Sequence, residues 1–164
     1  MVAAKAVPVT LRPLWTAPSA RTSVPVVAGG AVVTGDGRTV TGHDPVTGQT
    51  RWTFARDREL CGVTWIYNNA VAVYPDGRGC GQVSSIDAAT GRRGPTRSGY
   101  ADKQVTLSSD GTNALAAGDT RLELWRSDMV RVIGFGEVDA RVKPPQVGLG
   151  KGCRLTSAAA SPAL

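Results

Sequence analysis

The segment HDPVTGQTRW, from His43 to Trp52, contains the turn pattern D-x-x-T-G, and the chain repeats this pattern at Asp87 in the segment IDAATGRRG. The two aspartates lie 43 residues apart. Asp and Thr side chains hydrogen-bond nearby backbone groups in turns, and Gly adopts the positive φ that such turns require. We therefore predict the same structural turn twice, formed by Asp44, Thr47 and Gly48 with Trp52 after it, and by Asp87, Thr90 and Gly91.

Small apolar runs recur around these turns. GGAVVTG, NNAVAVYPDG and GTNALAAGD each follow a turn signal, and their leading residues Ala31, Ala70 and Ala114 are 39 and 44 residues apart. Apolar residues at consecutive positions are typical of strands buried on both faces. Another strand-like stretch lies on each side of every run. Four short strands in a unit of 40 to 45 residues indicate a β-propeller blade. The alternative, an all-β sandwich, does not explain matched four-strand units.

The segment GHDPVTGQTRW resembles the repeat of the PQQ-like (pyrroloquinoline-quinone-type) propellers, in which strand c ends in Asp, the D-x-x-T-G turn follows and strand d carries a Trp. The resemblance extends from about Leu14 to Val142, and only the first unit has every element. The second unit lacks the Trp, and LELWRSD in the third is closer to a WD-type repeat. Because most PQQ-like propellers bind no quinone, the resemblance implies an architecture and leaves the ligand open.

We expect an all-β fold of four-stranded antiparallel meanders, with about three blades and the start of a fourth. The units are predicted at about 14–55, 56–99, 100–143 and 144–164, the last one incomplete, after an N-terminal tail or linker at 1–13. A closed propeller usually needs about 4–8 blades. We therefore expect a fragment of a longer protein. The alternative is self-association, or association with another chain, through open blade edges.

The cysteines bear on the cellular compartment. Cys61 opens strand a of the second unit and Cys80 opens strand c, about 10 Å away in a flat sheet. A disulfide needs a Cα separation of about 4.4–6.8 Å, and the glycines of the turn Asp76–Gly79 permit the closer approach. Cys153 aligns with Cys61, and its partner would lie beyond Leu164. We predict a Cys61–Cys80 disulfide and an oxidising compartment; the alternative is three free thiols in the cytosol.

Nothing in the sequence predicts catalysis. His43 is the only histidine, and its strand neighbour Asp44 would point to the opposite face. The acidic residues are dispersed through turns, and the cysteine spacings fit no zinc site. Quinoprotein dehydrogenases, which the predicted fold resembles, commonly carry a vicinal Cys–Cys disulfide and calcium, and this chain has no adjacent cysteines. We therefore predict no catalytic residue, no metal site and no cofactor.

Charge and hydropathy limit the partners. The net charge is +6, from 19 Lys and Arg against 13 Asp and Glu, but the basic residues are scattered, which argues against nucleic acid. No apolar run approaches the roughly 18 residues of a membrane span. A membrane link would therefore need an anchor absent from this chain, and an export segment upstream is expected. The Arg-rich, Lys-poor composition indicates a GC-rich genome, such as that of an actinobacterium.

The function class predicted is a non-catalytic scaffold outside the bacterial cytoplasm that binds a protein, peptide or glycan. Trp65 and Tyr67 are predicted on one strand at i and i+2, which would place them on one face as a contact patch or against the next blade. The competing classes are a fragment of a quinone-linked oxidoreductase whose site lies in missing blades, and an intracellular WD-type interaction module.

Overall fold

The structure, a computed structural model, describes residue 10, residues 12–136 and residues 154–160. These residues form twelve strands in three four-stranded antiparallel sheets and contain no helix, so the all-β prediction is confirmed. The first sheet comprises β1 (Val26–Ala28), β2 (Ala31–Asp36), β3 (Thr39–His43) and β4 (Thr50–Ala55). The second comprises β5 (Gly62–Ile66), β6 (Asn69–Asp76), β7 (Gly79–Asp87) and β8 (Arg93–Ser98). The third comprises β9 (Thr106–Ser109), β10 (Asn113–Ala117), β11 (Arg121–Arg126) and β12 (Arg131–Gly136).

Each sheet is a meander, because every strand is hydrogen-bonded to its neighbours in the chain. Two-residue turns make this possible in the first sheet, where Gly30 has φ 74° and Gly37 has φ 50°. Positive φ at such positions matches the turn to the right-handed twist of the flanking strands. The Gly residues at these two turns therefore help to determine where β1 and β2 reverse.

The middle strand β6 shows why its sequence is apolar at consecutive positions. Ala70, Ala72 and Tyr74 pack in a cluster with the first sheet, whereas Val71 and Val73 pack in a cluster with the third. All five side chains are buried. Alternate residues of a strand point to opposite faces, so a sheet with a neighbour on both sides needs apolar residues at every position.

Two apolar clusters hold the three sheets side by side, like neighbouring blades of a propeller. The cluster between the first and second sheets contains Val26, Ala28, Val33, Val40, Trp52, Leu60, Val63, Ala70, Ala72, Tyr74, Ile86 and Ala88. The cluster between the second and third contains Ile66, Val71, Val73, Cys80, Val83, Leu107, Ala114, Ala116, Trp125 and Met129.

The predicted end segments lie partly outside the described residues. Of the tail at 1–13, only residues 10, 12 and 13 are described, and of the fourth unit only residues 154–160. In that short stretch the Leu155 N–H donates to the Asp119 carbonyl at 2.8 Å, so the segment lies beside the third sheet. Cys153, predicted to lack a partner, is outside the described part of the chain.

Candidate functional site

The first D-x-x-T-G turn is a closed hydrogen-bonded unit. Asp44 Oδ1 accepts the N–H groups of Val46 and Thr47, both at 2.9 Å, and the Gly48 N–H donates to the Asp44 carbonyl at 2.9 Å. Gly48 has φ 73°. The pKa of Asp44 lies well below its usual range. The largest cause is the hydrogen bond from the Thr47 N–H, and the second is the Arg51 guanidinium, which lies 2.6 Å from Asp44 Oδ2. The carboxylate therefore stays charged and remains part of the turn.

The second turn repeats this geometry. Asp87 Oδ1 accepts the Thr90 hydroxyl and the Thr90 N–H, both at 2.8 Å, and the Ala89 N–H at 3.1 Å. The Gly91 N–H donates to the Asp87 carbonyl at 2.8 Å, and Gly91 has φ 75°. The Thr90 hydroxyl makes the largest contribution to lowering the pKa of Asp87. Both aspartates therefore direct one side-chain oxygen into their own backbone.

A tryptophan from the preceding sheet covers the second turn. The Trp52 indole N–H, on β4, donates to the Ala88 carbonyl at 2.8 Å. The ring lies so close to Gly91 that a Cβ there would be 2.6 Å from the Trp52 Cβ. Gly91 therefore serves two purposes, the positive φ of the turn and room for the indole.

The first turn is covered in the same way by Trp15. Its indole N–H donates to the Pro45 carbonyl at 3.2 Å, and a Cβ on Gly48 would be 2.6 Å from the Trp15 Cγ. The Trp15 segment thus contacts the first sheet as β4 contacts the second. In both copies one side of the turn, next to its Gly, is covered by the protein's own indole.

His43 is also engaged in packing. Its Nδ1 lies 3.1 Å from the Gly48 carbonyl and its Nε2 lies 3.0 Å from the Thr34 hydroxyl, with the Trp15 ring centroid 5.4 Å away. A carbonyl only accepts, so Nδ1 donates to the Gly48 carbonyl, and Nε2 shares a hydrogen bond with the Thr34 hydroxyl. The side chain is buried. Its ring nitrogens are used to fasten the first turn to β2.

The junction between the second and third sheets contains a cluster of charged groups around an indole. Arg97 on β8 lies with its guanidinium carbon 5.7 Å from the Trp125 ring centroid and donates to the Met129 carbonyl at 3.4 Å. Met129 has φ 64° in the turn after β11, close to the φ of the glycines in the other two turns. A cation above an indole face is attracted by the ring. Arg97 therefore spans this junction.

Glu123 is the centre of that junction. Its Oε1 lies 2.6 Å from Arg121 and 3.3 Å from Arg131, and its Oε2 lies 2.7 Å from Arg97 and 2.9 Å from the Trp125 indole nitrogen. Burial raises the pKa of Glu123, but the hydrogen bonds from Arg121 and Trp125 and the charge of Arg97 lower it below its usual value overall. The adjacent cavity is about 10 Å³, room for about one water molecule.

The sequence interpretation did not identify this cluster. Its local signal is the alternation in RLELWR, which places Arg121, Glu123 and Trp125 on one face of β11. The other two members are Arg131, on β12, and Arg97, which comes from another sheet and which no spacing rule connects to Glu123.

Cys61 and Cys80 form a disulfide, with a Cα separation of 6.0 Å. The pairing of β6 with β7 shifts register between Tyr74 and Asp76, and Gly79 has φ 102°. A bulge of this kind bends the strand and breaks the regular spacing. It brings the start of β7 toward the start of β5, closer than the flat-sheet distance of about 10 Å.

Trp65 and Tyr67 do not share a strand face, which corrects the sequence interpretation. β5 ends at Ile66, and Tyr67 lies in the following turn with φ 49°. The Tyr67 N–H donates to the Gly111 carbonyl at 2.7 Å, while its side chain is 55% exposed. Trp65 is half-buried and packs against the cluster between the first and second sheets. The alternation rule does not extend past the end of a strand.

Within the described ranges, no group of three or more His, Cys, Asp or Glu side chains is placed to hold a metal ion. In the same part of the chain, no helix has the length and apolar character needed to cross a membrane.

Comparisons with known proteins identify the fold. No family model matches the chain, and no curated protein matches it by sequence. Among solved structures, the computationally designed Ika4 protein has a TM-score of 0.55 at 17% identity, covering 84% of this chain and 83% of Ika4. BamB from Moraxella catarrhalis has a TM-score of 0.53 at 16% identity, covering 70% of this chain and 37% of BamB. These neighbours are propeller proteins. The described part of the chain thus has a propeller-type repeat fold and spans well under half the length of BamB.

Proposed function

We propose that this chain is a non-catalytic, PQQ-like propeller scaffold that binds a protein, peptide or glycan partner in the bacterial cell envelope. The main support is that the groups most suited to chemistry are used in packing. His43 has partners at both ring nitrogens, and Glu123 has partners at both carboxylate oxygens. A general base needs an accessible lone pair within reach of a substrate.

The PQQ-like assignment is supported by the contact between Trp52 and the second D-x-x-T-G turn. The resemblance predicted a Trp on strand d after such a turn, and the indole contacts Ala88 and Gly91 of the next sheet. An envelope location is supported by the Cys61–Cys80 disulfide, because stable disulfides form mainly in oxidising compartments.

We propose Tyr67 as the centre of the contact patch for the partner. Tyr67 is exposed although large aromatic side chains are usually buried, and its backbone occupies a region uncommon for residues other than Gly. The Asn68 carbonyl next to it accepts the Ala88 N–H at 3.0 Å, so this turn is anchored to the second D-x-x-T-G turn. An aromatic side chain on an anchored turn provides contact area at low entropic cost.

The test is site-specific photo-crosslinking in the source bacterium, with a photoreactive aromatic residue in place of Tyr67. We expect discrete crosslinked products in the envelope fraction. The matched control carries the same residue at Val46, which is 69% exposed on the first D-x-x-T-G turn. Equal crosslinking patterns at the two positions would contradict the patch. Calcium- and quinone-dependent dye reduction by the purified protein would contradict the scaffold and favour the oxidoreductase.

A further inference from the structure

The outer strands of the three sheets differ in how they are protected. β4, β8 and β12 each pair with one strand only among the described residues. An edge strand presents unpaired N–H and C=O groups that accept a further strand. Natural proteins block such edges with charged side chains and proline, so the side chains on these three strands indicate which edge is open.

Two of the three edges carry blocking features. β8 has the sequence RGPTRS, in which Pro95 lacks a donor and the other residues are Arg, Gly, Thr or Ser. β4 exposes Thr50, Arg51 and Thr53, and its largest side chain, Trp52, is committed to the second sheet. Neither strand has an exposed large apolar side chain that could pack against a partner strand.

The third edge is apolar. Apart from Arg131 at its start, β12 has the sequence VIGFG, without Pro or a charged residue. Val132 is 52% exposed and Ile133 is 53% exposed, and Val130 just before the strand is 50% exposed. Exposed branched side chains concentrated on one unpaired edge mark an interaction site more often than scattered single ones do.

A bulge places Arg131 and Ile133 on opposite faces of β12. The pairing of β11 with β12 shifts between Leu124 and Trp125, so Ile133 lies opposite Leu124 whereas Arg131 lies opposite Trp125. Adjacent residues of β11 point to opposite faces. Arg131 and Ile133 therefore present a cation on one face and an apolar side chain on the other, because Val132 is the additional residue between them.

Arg131 is suited to receive a carboxylate from a partner. Its side chain is 42% exposed, and its contact with Glu123 is 3.3 Å, compared with 2.6 Å for Arg121 and 2.7 Å for Arg97. These two shorter ion pairs do not depend on Arg131, so Glu123 would keep them if Arg131 turned toward a partner. The net charge of +6 disfavours pairing between two copies of this chain and favours an acidic segment.

We propose that β12 is a docking edge for an extended segment of a partner protein in which acidic and apolar residues alternate. The partner backbone pairs with β12, its carboxylates lie on the face of Arg131, and its apolar side chains lie on the face of Ile133. This inference rests on the scaffold function proposed above. It adds the chemistry of one partner segment and a second binding surface, distant in sequence from Tyr67.

The test uses the full chain and a fluorescent, end-capped octapeptide of alternating valine and glutamate, followed by anisotropy. We expect binding that is at least tenfold tighter than that of the same peptide with lysine replacing glutamate. Ile133→Asp should weaken the glutamate peptide at least tenfold. Its matched control, Thr53→Asp on β4, should leave binding unchanged. Arg131→Gln should reduce the discrimination between the two peptides, and circular dichroism verifies that each variant is folded.

Three results would overturn this proposal. The first is equal binding of the two peptides, or no binding of either, to the wild-type chain. The second is equal weakening by Thr53→Asp and Ile133→Asp. The third is a wild-type dimer in sedimentation that Ile133→Asp converts to a monomer, which would make a second copy the occupant. Because the peptide assay does not involve Tyr67, it can fail while the crosslinking assay succeeds, and the reverse also holds.

Discussion

Replacing Trp52 with Phe isolates the contribution of the indole to the junction between the first and second sheets. In the wild type the indole N–H donates to the buried Ala88 carbonyl at 2.8 Å. Phe retains an aromatic ring but has no N–H to donate. An unpaired buried acceptor costs about 1–2 kcal/mol. The smaller ring also leaves a void beside Gly91 that costs about 1 kcal/mol more. We therefore expect Trp52→Phe to lower the free energy of unfolding by about 2–3 kcal/mol and Tm by roughly 4–12 °C.

Trp15→Phe is the matched control, because Trp15 makes the same kind of contact with the first turn. Its hydrogen bond to Pro45 is longer, at 3.2 Å, and its ring is only half-buried. A partly solvated carbonyl regains a partner in water, so we expect a loss below about 1 kcal/mol. Urea unfolding followed by circular dichroism measures both variants.

Equal losses of unfolding free energy in the two variants would refute this reasoning. The burial of the indole and the length of its hydrogen bond would then not determine the free energy lost on substitution. A loss below about 0.5 kcal/mol for Trp52→Phe would equally refute it, because that is the range of ordinary surface substitutions.

Two further predictions concern the disulfide and the buried carboxylate. Without reductant, titration of the folded and then denatured chain should find one free thiol among the three cysteines, and three would exclude the Cys61–Cys80 bond. Replacing both paired cysteines with Ala should lower the free energy of unfolding by about 3 kcal/mol, given the sequence separation of 19. Glu123→Gln should destabilise the protein by about 3–5 kcal/mol at pH 7, because it removes the charge that three guanidiniums contact. The pKa of Glu123 is lowered in the folded state, so its contribution is complete above the unfolded value of 4.5 and is lost as the pH falls toward the folded pKa. The difference in unfolding free energy between wild type and variant should therefore shrink as the pH falls from 7 to 3, and a constant difference would contradict this assignment.

The turns and strands were predictable because their determinants are local. Asp87 reaches backbone groups two and three residues away, so the turn is present in the sequence as D-x-x-T-G. The apolar run of β6 likewise indicates burial on both faces, which the packing of Val71 and Ala72 into different clusters confirms. The end of β5 was predicted wrongly, because the positive φ of Tyr67 accompanies a hydrogen bond to Gly111 in the third sheet.

The sequence by itself therefore determined the strand runs, the turns between them and the number of strands in each unit. The tertiary structure alone decided which side chains meet across sheets, such as Trp52 with Ala88 and Arg97 with Glu123. It also decided that β12 presents Arg131 and Ile133 on opposite faces, because a bulge there changes the register. The physical reason is that turn hydrogen bonds form within five residues, whereas contacts between sheets depend on register and bulges set by many distant residues together.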